Sequence, residues 1–261
     1  MMHQLPAPDK ALTRRTRKIF RARAARWAVC LAFCAVTVLP MAGTGLRAAL
    51  AADQDEEAPQ GEAKASNGIK LFGTVEFARP LSTLPGWLDV LKRNKADPIF
   101  LPDKQFNKST TWAQLKKQAE GKSPSELLRL VNSFWNSWPY REDQANWGKP
   151  DYWAIPSQFL KKSGDCEDYS IVKYFTLKEL GIDPDSMRIV VLRDTIRNLA
   201  HAVLVVYLNG EAYVLDNLSN VVMPHTRLRN YSPQYSINEN GRWTHIKGRQ
   251  AGAAKPAGGK K

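Results

Sequence analysis

Asn209-Gly210 lies between two runs of alternating apolar residues, Ala202 to Leu208 and Glu211 to Leu215. That dipeptide in that setting is the strongest short-range hairpin signal, because a two-residue turn matching the strand twist needs positive φ at its centre. The turn fixes a register. With Leu208 opposite Glu211, Tyr207 faces Ala212, Val205 faces Val214 and Val203 faces Asp216. Side chains alternate between faces, so His201, Val203 and Val205 share one face with Val214 and Asp216. His201 is then a diagonal neighbour of Asp216, at roughly 7–8 Å between positions, which the two side chains can close. A slip of one residue turns Asp216 to the opposite face.

Ahead of the hairpin, Met187 to Leu192 reads as another strand, and the sequence from Asp165 is helical. Ile171, Val172, Tyr174, Phe175, Leu177 and Leu180 cover more than one face, so this helix is expected to be largely buried. Gly181 supplies its stop, with Pro184 beyond. Cys166 stands at the helix mouth, within Ser163-Gly164-Asp165-Cys166-Glu167-Asp168. Unpaired N–H groups and the positive end of the helix dipole favour a thiolate there. Three neighbouring carboxylates oppose it, so a compensating cation is expected, either protonated His201 or a metal ion. A carboxylate bonded to one nitrogen of His201 leaves the other free to take the thiol proton. That arrangement makes Cys166 the nucleophile, His201 the base and Asp216 the residue that orients it.

The cysteine count supports that assignment. Residues 1–51 hold a basic region ending at Arg26, an apolar stretch from Trp27 to Met41, and Ala49-Leu50-Ala51 as a cleavage site. They read as a signal peptide for export. The apolar stretch is shorter than the roughly 20 residues that span a bilayer, and an uncleaved membrane anchor is the alternative. Removing this segment takes Cys30 and Cys34 with it. Cys166 remains alone, in a polar stretch that is a poor place to bury a thiol. The same segment carries nine Lys/Arg against one acid, which accounts for eight of the thirteen excess positive charges. With the ends set aside, little basic signal is left to suggest nucleic acid as a partner.

Residues 52–69 are expected to form a disordered acidic linker, 70–246 the folded domain and 247–261 a disordered basic tail. Residues 71–110 read as Pro-rich loop with one short helical turn at Trp87-Leu88-Val90-Leu91. Ser123-Pro124-Ser125-Glu126 starts a helix that carries Leu127, Leu128, Leu130, Val131, Phe134 and Trp135, and Pro156 to Leu160 forms a further turn. His225 and His245, in Pro-, Arg- and Asn-rich stretches, are expected at the surface. The aromatics from Phe134 to Tyr140 and from Trp147 to Trp153 are expected mainly in the core, with a groove lining as the alternative.

Taken together, five segments resemble the bacterial transglutaminase-like cysteine peptidases, the LapG-type periplasmic proteases. They are Asp151 to Pro156, Gly164 to Tyr169, Lys173-Tyr174-Phe175, Ala200 to Leu204 and Val214 to Asn217. The resemblance spans residues 120–235 and rests on the Cys, His and Asp segments in combination. It implies an α+β, papain-like fold, with a buried helix carrying Cys166 packed on an antiparallel sheet carrying His201 and Asp216. It implies a Cys-His-Asp triad at those positions and calcium bound by Asp165, Glu167 and Asp168. It also implies a periplasmic endopeptidase that cuts a large surface adhesin near its N-terminus at a pair of alanines, in biofilm control. An inner-membrane receptor for cyclic di-GMP is the implied regulatory partner. Ala202 departs from the pattern, where a larger apolar residue is expected after the histidine.

Calcium has separate physical support, because three carboxylates in four positions repel one another unless a hard, oxygen-seeking cation sits among them. An acidic first turn that complements the helix dipole is the alternative. For the tetrahedral intermediate, the Cys166 N–H and a side-chain amide are the expected oxyanion donors, with Gln144 and Asn146 as candidates by residue type only. Two other functions stay open on the residues: acyl transfer to an amine through the same triad, and a noncatalytic periplasmic binding module.

Overall fold

The computed structural model describes residues 68–247. The expected signal segment, most of the acidic linker and the tail past Lys247 lie outside the described residues. The chain runs through β1 (Thr74–Arg79), α1 (Pro85–Ala96), β2 (Gln105–Asn107), β3 (Thr110–Thr111), α2 (Trp112–Ala119), α3 (Pro124–Trp135), α4 (Asp143–Trp147) and α5 (Pro156–Lys162). It continues as α6 (Cys166–Glu179), β4 (Met187–Asp194), β5 (Leu199–Leu208), β6 (Glu211–Asp216), β7 (Ser219–Pro224), β8 (Tyr231–Ile237) and β9 (Arg242–Lys247). Seven strands form one sheet in the order β1-β9-β8-β4-β5-β6-β7, and every neighbouring pair is antiparallel. This is the α+β class expected.

The hairpin has the register read from its turn. Leu208 pairs with Glu211, Tyr207 with Ala212, Val205 with Val214 and Leu204 with Leu215. Asn209 and Gly210 both take positive φ, 51° and 78°, as the turn demands. Alternation then sorts the strands' apolar residues between two faces. Ile189, Leu204, Val206 and Leu215 join the core beneath the helices, while Val190, Leu192, Val203, Val205 and Val214 pack with Leu71 and Tyr231 on the other face.

Helix α6 lies across β4, β5 and β6 and is flanked by α3 and α5, so every residue from Asp168 to Leu177 is buried. Its polar members are satisfied within that core. Lys173 Nζ donates to Asn132 Oδ1 at 2.8 Å, and Thr176 Oγ1 bonds the Val172 carbonyl while accepting from Trp135 Nε1. The α3 start is set as its sequence indicates, with Pro124 in the first turn and the Glu126 carboxylate accepting from the Ser123 N–H at 2.8 Å. The aromatics of 134–138 pack mainly in the core, Trp135 being wholly buried.

Two expectations are corrected here. Residues 71–110 are not a loop with one turn, for they hold β1, the twelve-residue α1 and the β2–β3 pair. Pro85 starts α1 rather than breaking order, since its missing N–H falls where a helix has no use for one. β1 is assembled against β9 from the far end of the chain, Thr74 opposite Lys247, a pairing with no local signal. His225 and His245 are buried rather than on the surface. His225 Nδ1 accepts from the Phe72 N–H at 2.9 Å, while His245 lies between Thr74 Oγ1 at 3.0 Å and Ser236 Oγ at 2.8 Å.

Beside His245, Arg188 is 1% exposed, stacks on the Trp243 ring at 3.7 Å and donates to Glu76 Oε2 at 2.5 Å. Glu76 lies on the edge strand, so this ion pair ties β1 to the middle of the sheet. Glu76→Ala leaves the guanidinium buried without its counter-charge and is expected to lower stability by ~3 kcal/mol in urea unfolding. Pairing it with Arg188→Met should recover most of the loss, whereas an additive double variant would refute the coupling.

Candidate active site

The buried α6 aims its first turn at the β4–β5 end of the sheet. There a cleft of about 380 Å³ is lined by Cys166, Glu167, Asp165, Ala200, His201 and Ala202, with Tyr140, Asp151, Trp153, Val191 and Tyr235 around them. The expected nucleophile and the expected base thus share one cavity. His201 Nε2 is 2.9 Å from Asp216 Oδ1, and both residues are buried. Because an ionised carboxylate only accepts, this contact places a ring proton on Nε2, and in the neutral imidazole the lone pair is then on Nδ1.

Asp216 is held from three sides. The Leu218 N–H donates to Oδ1 at 3.0 Å and the Tyr231 hydroxyl to Oδ2 at 2.5 Å, besides the histidine contact. Burial pushes its carboxyl up, but the bonds from His201, Tyr231 and Leu218 outweigh burial and leave it below the usual range. Tyr231 also lays its ring edge-on to His201, with centroids 5.7 Å apart. Nothing in the sequence marked this tyrosine, because β8 reaches the site only through pairing with β4.

At Cys166, Sγ is 3.1 Å from Glu167 Oε2, a thiol-to-carboxylate hydrogen bond. Burial first, and then the charges of Glu167 and Asp165, push the Cys166 thiol well above its ordinary range, while the Ala202 N–H pulls the other way. The carboxylate opposition read from the sequence is therefore present, added to the larger effect of burial.

Those carboxylates have company the sequence reading missed. Asp143, Asp151 and Glu167 offer oxygens within 4.8 Å of one another, as do Asp143, Asp165 and Asp168. Asp143 Oδ1 and Asp165 Oδ1 are buried and face no hydrogen-bond donor. Such a cluster of hard oxygen donors fits a divalent cation such as calcium and gives little to zinc, which prefers nitrogen and sulfur. Asp165 and Glu167 stand where the ligands were expected. Asp168 is partly committed elsewhere, accepting from the Ala154 N–H at 2.6 Å and the Asp165 N–H at 3.4 Å. It also fills the space beside Gly164, where a Cβ would come within 2.0 Å of Asp168 Oδ2. No motif in the sequence pointed to Asp143 or Asp151, which the fold brings to the cluster from the start of α4 and the loop after it.

Gln144 and Asn146 do not line the cleft, and Asn146 Nδ2 faces the Lys162 and Ser163 carbonyls at 3.4 and 3.3 Å. Tyr140 does line it. Burial and then the neighbouring Cys166 charge push its phenol up, so it stays a neutral donor at working pH.

The pH dependence of the cation-free protein follows. Burial and then neighbouring acids raise Asp143 to about 6, and burial and then Glu167 raise Asp165 to about 8. A carboxyl raised above its unfolded value of about 3.9 favours the fold fully below that value, and the benefit is lost as pH rises through the folded pKa. In chelator, stability is therefore expected to fall between about pH 4 and pH 8 by urea unfolding. A flat profile would contradict the cluster as described.

The sequence profile of the bacterial transglutaminase-like cysteine proteinases (BTLCP) matches residues 94–251, more than half of the chain. Among solved structures, calcium-bound LapG of Legionella pneumophila is 30% identical, the match covering 60% of this chain and 86% of that one with a TM-score of 0.49. An EGTA-treated LapG from the same organism is also 30% identical, over 60% and 84% of the two chains at a TM-score of 0.48. No curated protein matches. The chain belongs to the bacterial transglutaminase-like cysteine proteinase family.

Proposed function

We propose that this protein is an exported, periplasmic, calcium-dependent cysteine endopeptidase that cuts the N-terminal region of a large surface adhesin. Cys166 is its nucleophile, His201 its base and Asp216 the residue orienting that base. The observation that carries this reading is the 2.9 Å contact between His201 Nε2 and Asp216 in a residue pair that lines, through His201, the same cleft as Cys166. The Cys166 thiol gives its proton to His201 Nδ1, and the sulfur attacks a peptide carbonyl. His201 then passes that proton to the departing amine, leaving a thioester. Water, deprotonated by the same nitrogen, hydrolyses the thioester and returns the proton to sulfur. Oxyanion donors near the attacked carbonyl are the Cys166 N–H and the neutral Tyr140 hydroxyl.

Calcium is the cation proposed for the cluster of Asp143, Asp151, Asp165 and Glu167, with Asp168 holding the turn that presents them. The buried, unpartnered oxygens of Asp143 and Asp165 support it, and a 30% identical relative is known in a calcium-bound form. When bound, the ion supplies positive charge beside the thiol, which favours thiolate. Export rests on the sequence of residues 1–51. The adhesin substrate and an inner-membrane cyclic di-GMP receptor as sequestering partner rest on family resemblance.

Purified protein incubated with an adhesin N-terminal segment is expected to cleave it in calcium and not in chelator. Cys166→Ala should lose at least roughly 10³-fold in rate. Cleavage indifferent to chelator would remove the calcium role, and incorporation of a labelled amine in place of hydrolysis would turn the reading to acyl transfer. Tyr231→Phe deletes one charge-assisted bond to Asp216 and should lower kcat/KM by about tenfold with KM little changed. An unchanged kcat would deny Tyr231 its positioning role.

A further inference from the structure

The catalytic cleft does not end at Tyr235. A second hollow, of about 480 Å³, opens on the far side of Asp151, Trp153 and Tyr235, and those three residues line both. Its walls are Leu84, Pro85 and Gly86 at the start of α1, with Trp87 beneath them and Trp153 and Tyr235 opposite. The far wall is rigid. Arg93 donates to Asp89 at 2.5 Å, to Gln158 Oε1 at 2.9 Å and to the Trp153 carbonyl at 2.8 Å, which pins the Trp153 backbone. Trp87 is anchored through Nε1 to the Asn238 carbonyl at 2.8 Å. The rim carries Asp89 and Lys149, charges of both signs, so the apolar walls rather than net charge set what the hollow accepts.

We infer that this hollow is a substrate subsite, which takes an apolar side chain of the polypeptide about three residues from the scissile bond. The inference rests on the endopeptidase reading above. Its distance follows from the sheet: Ala202, whose N–H faces Cys166, pairs with Val191, and Val191 pairs with Tyr235. Two strand spacings are roughly 10 Å, and extended polypeptide advances about 3.3–3.6 Å per residue. A peptide lying from Cys166 across these strands therefore brings its third residue to Tyr235 and the hollow beyond. Preformed, aromatic-walled concavities of this size hold an apolar side chain without reorganisation. The occupant is thus the substrate chain itself on one flank of the cut, and the site gives the enzyme sequence preference at a distance from the reacting atoms.

Gly86 offers a clean test. It has ordinary helical φ, and a Cβ built on it meets nothing within 4 Å, so a large side chain there projects into open space without strain. Full-length protein in calcium is assayed on quenched-fluorescent decapeptides centred on an Ala-Ala pair, with the third and fourth positions on each flank varied among Leu, Phe, Ala and Asp. The wild type is expected to favour Leu or Phe over Ala at one of these positions by about tenfold in kcat/KM. Gly86→Trp should bring that ratio close to one, with the rate of Cys166 alkylation and the melting temperature reporting an intact fold. Cys166-dependent cleavage without preference, or a preference unaltered in Gly86→Trp, overturns the subsite alone. Absence of any Cys166-dependent cleavage overturns the endopeptidase reading and the subsite with it.

Discussion

The placement of α6 across β4, β5 and β6 is the constraint on which the site depends. Ten consecutive residues of that helix are buried, so it has no freedom to slide or roll without exposing a core side chain somewhere. Even its buried lysine is fixed: burial draws Lys173 down to about 7, with the Asp216 charge opposing, and its amino group is held on Asn132. Asn132 in turn donates to the Ser219 carbonyl at the start of β7, beside the turn that follows Asp216. One buried polar chain thereby connects the helix carrying the cysteine to the corner carrying the aspartate. Such a chain does more for registry than for net stability, since each buried polar group first loses its water.

The parts legible in the sequence were those whose physics is local. The hairpin register followed from Asn209-Gly210 and period-two alternation, and the His201–Asp216 contact followed from the register. The burial of α6 followed from apolar residues on more than one face. What escaped reading depends on partners distant in the chain. β1 closes on β9, and His245 is buried because Thr74 and Ser236 satisfy both ring nitrogens, which no polar neighbourhood in the sequence discloses. Tyr231 and Asp143 reach the site in the same way, by sheet pairing and by the packing of the short helix α4, without a motif of their own.

The two halves of the site differ in what they need. His201 and Asp216 are held by a hairpin, a tyrosine hydroxyl and a backbone N–H, and every bond there is already made. Cys166 stands among carboxylates whose repulsion is not relieved by any donor on Asp143 Oδ1 or Asp165 Oδ1. The His201–Asp216 pair is held by bonds on several sides, whereas Cys166 is set among mutually repelling carboxylates.

That asymmetry bears on how the proposed peptidase is governed. If the cation dependence lay with the histidine, removing the ion would loosen the hairpin and much of the sheet with it. The carboxylates of Asp143, Asp151, Asp165 and Glu167 gather at the starts of α4 and α6 and in the loop before α5, whereas His201 and Asp216 are held by sheet pairing and by bonds that involve none of them. With Cys166 Sγ 3.1 Å from Glu167 Oε2, the proposed cation would act first on the thiol and on the carboxylates around it. On the proposed reading the ion relieves carboxylate repulsion at the first turn of α6, and because the same carboxyls titrate differently in the folded and unfolded chain, that relief is also a contribution to the stability of the domain.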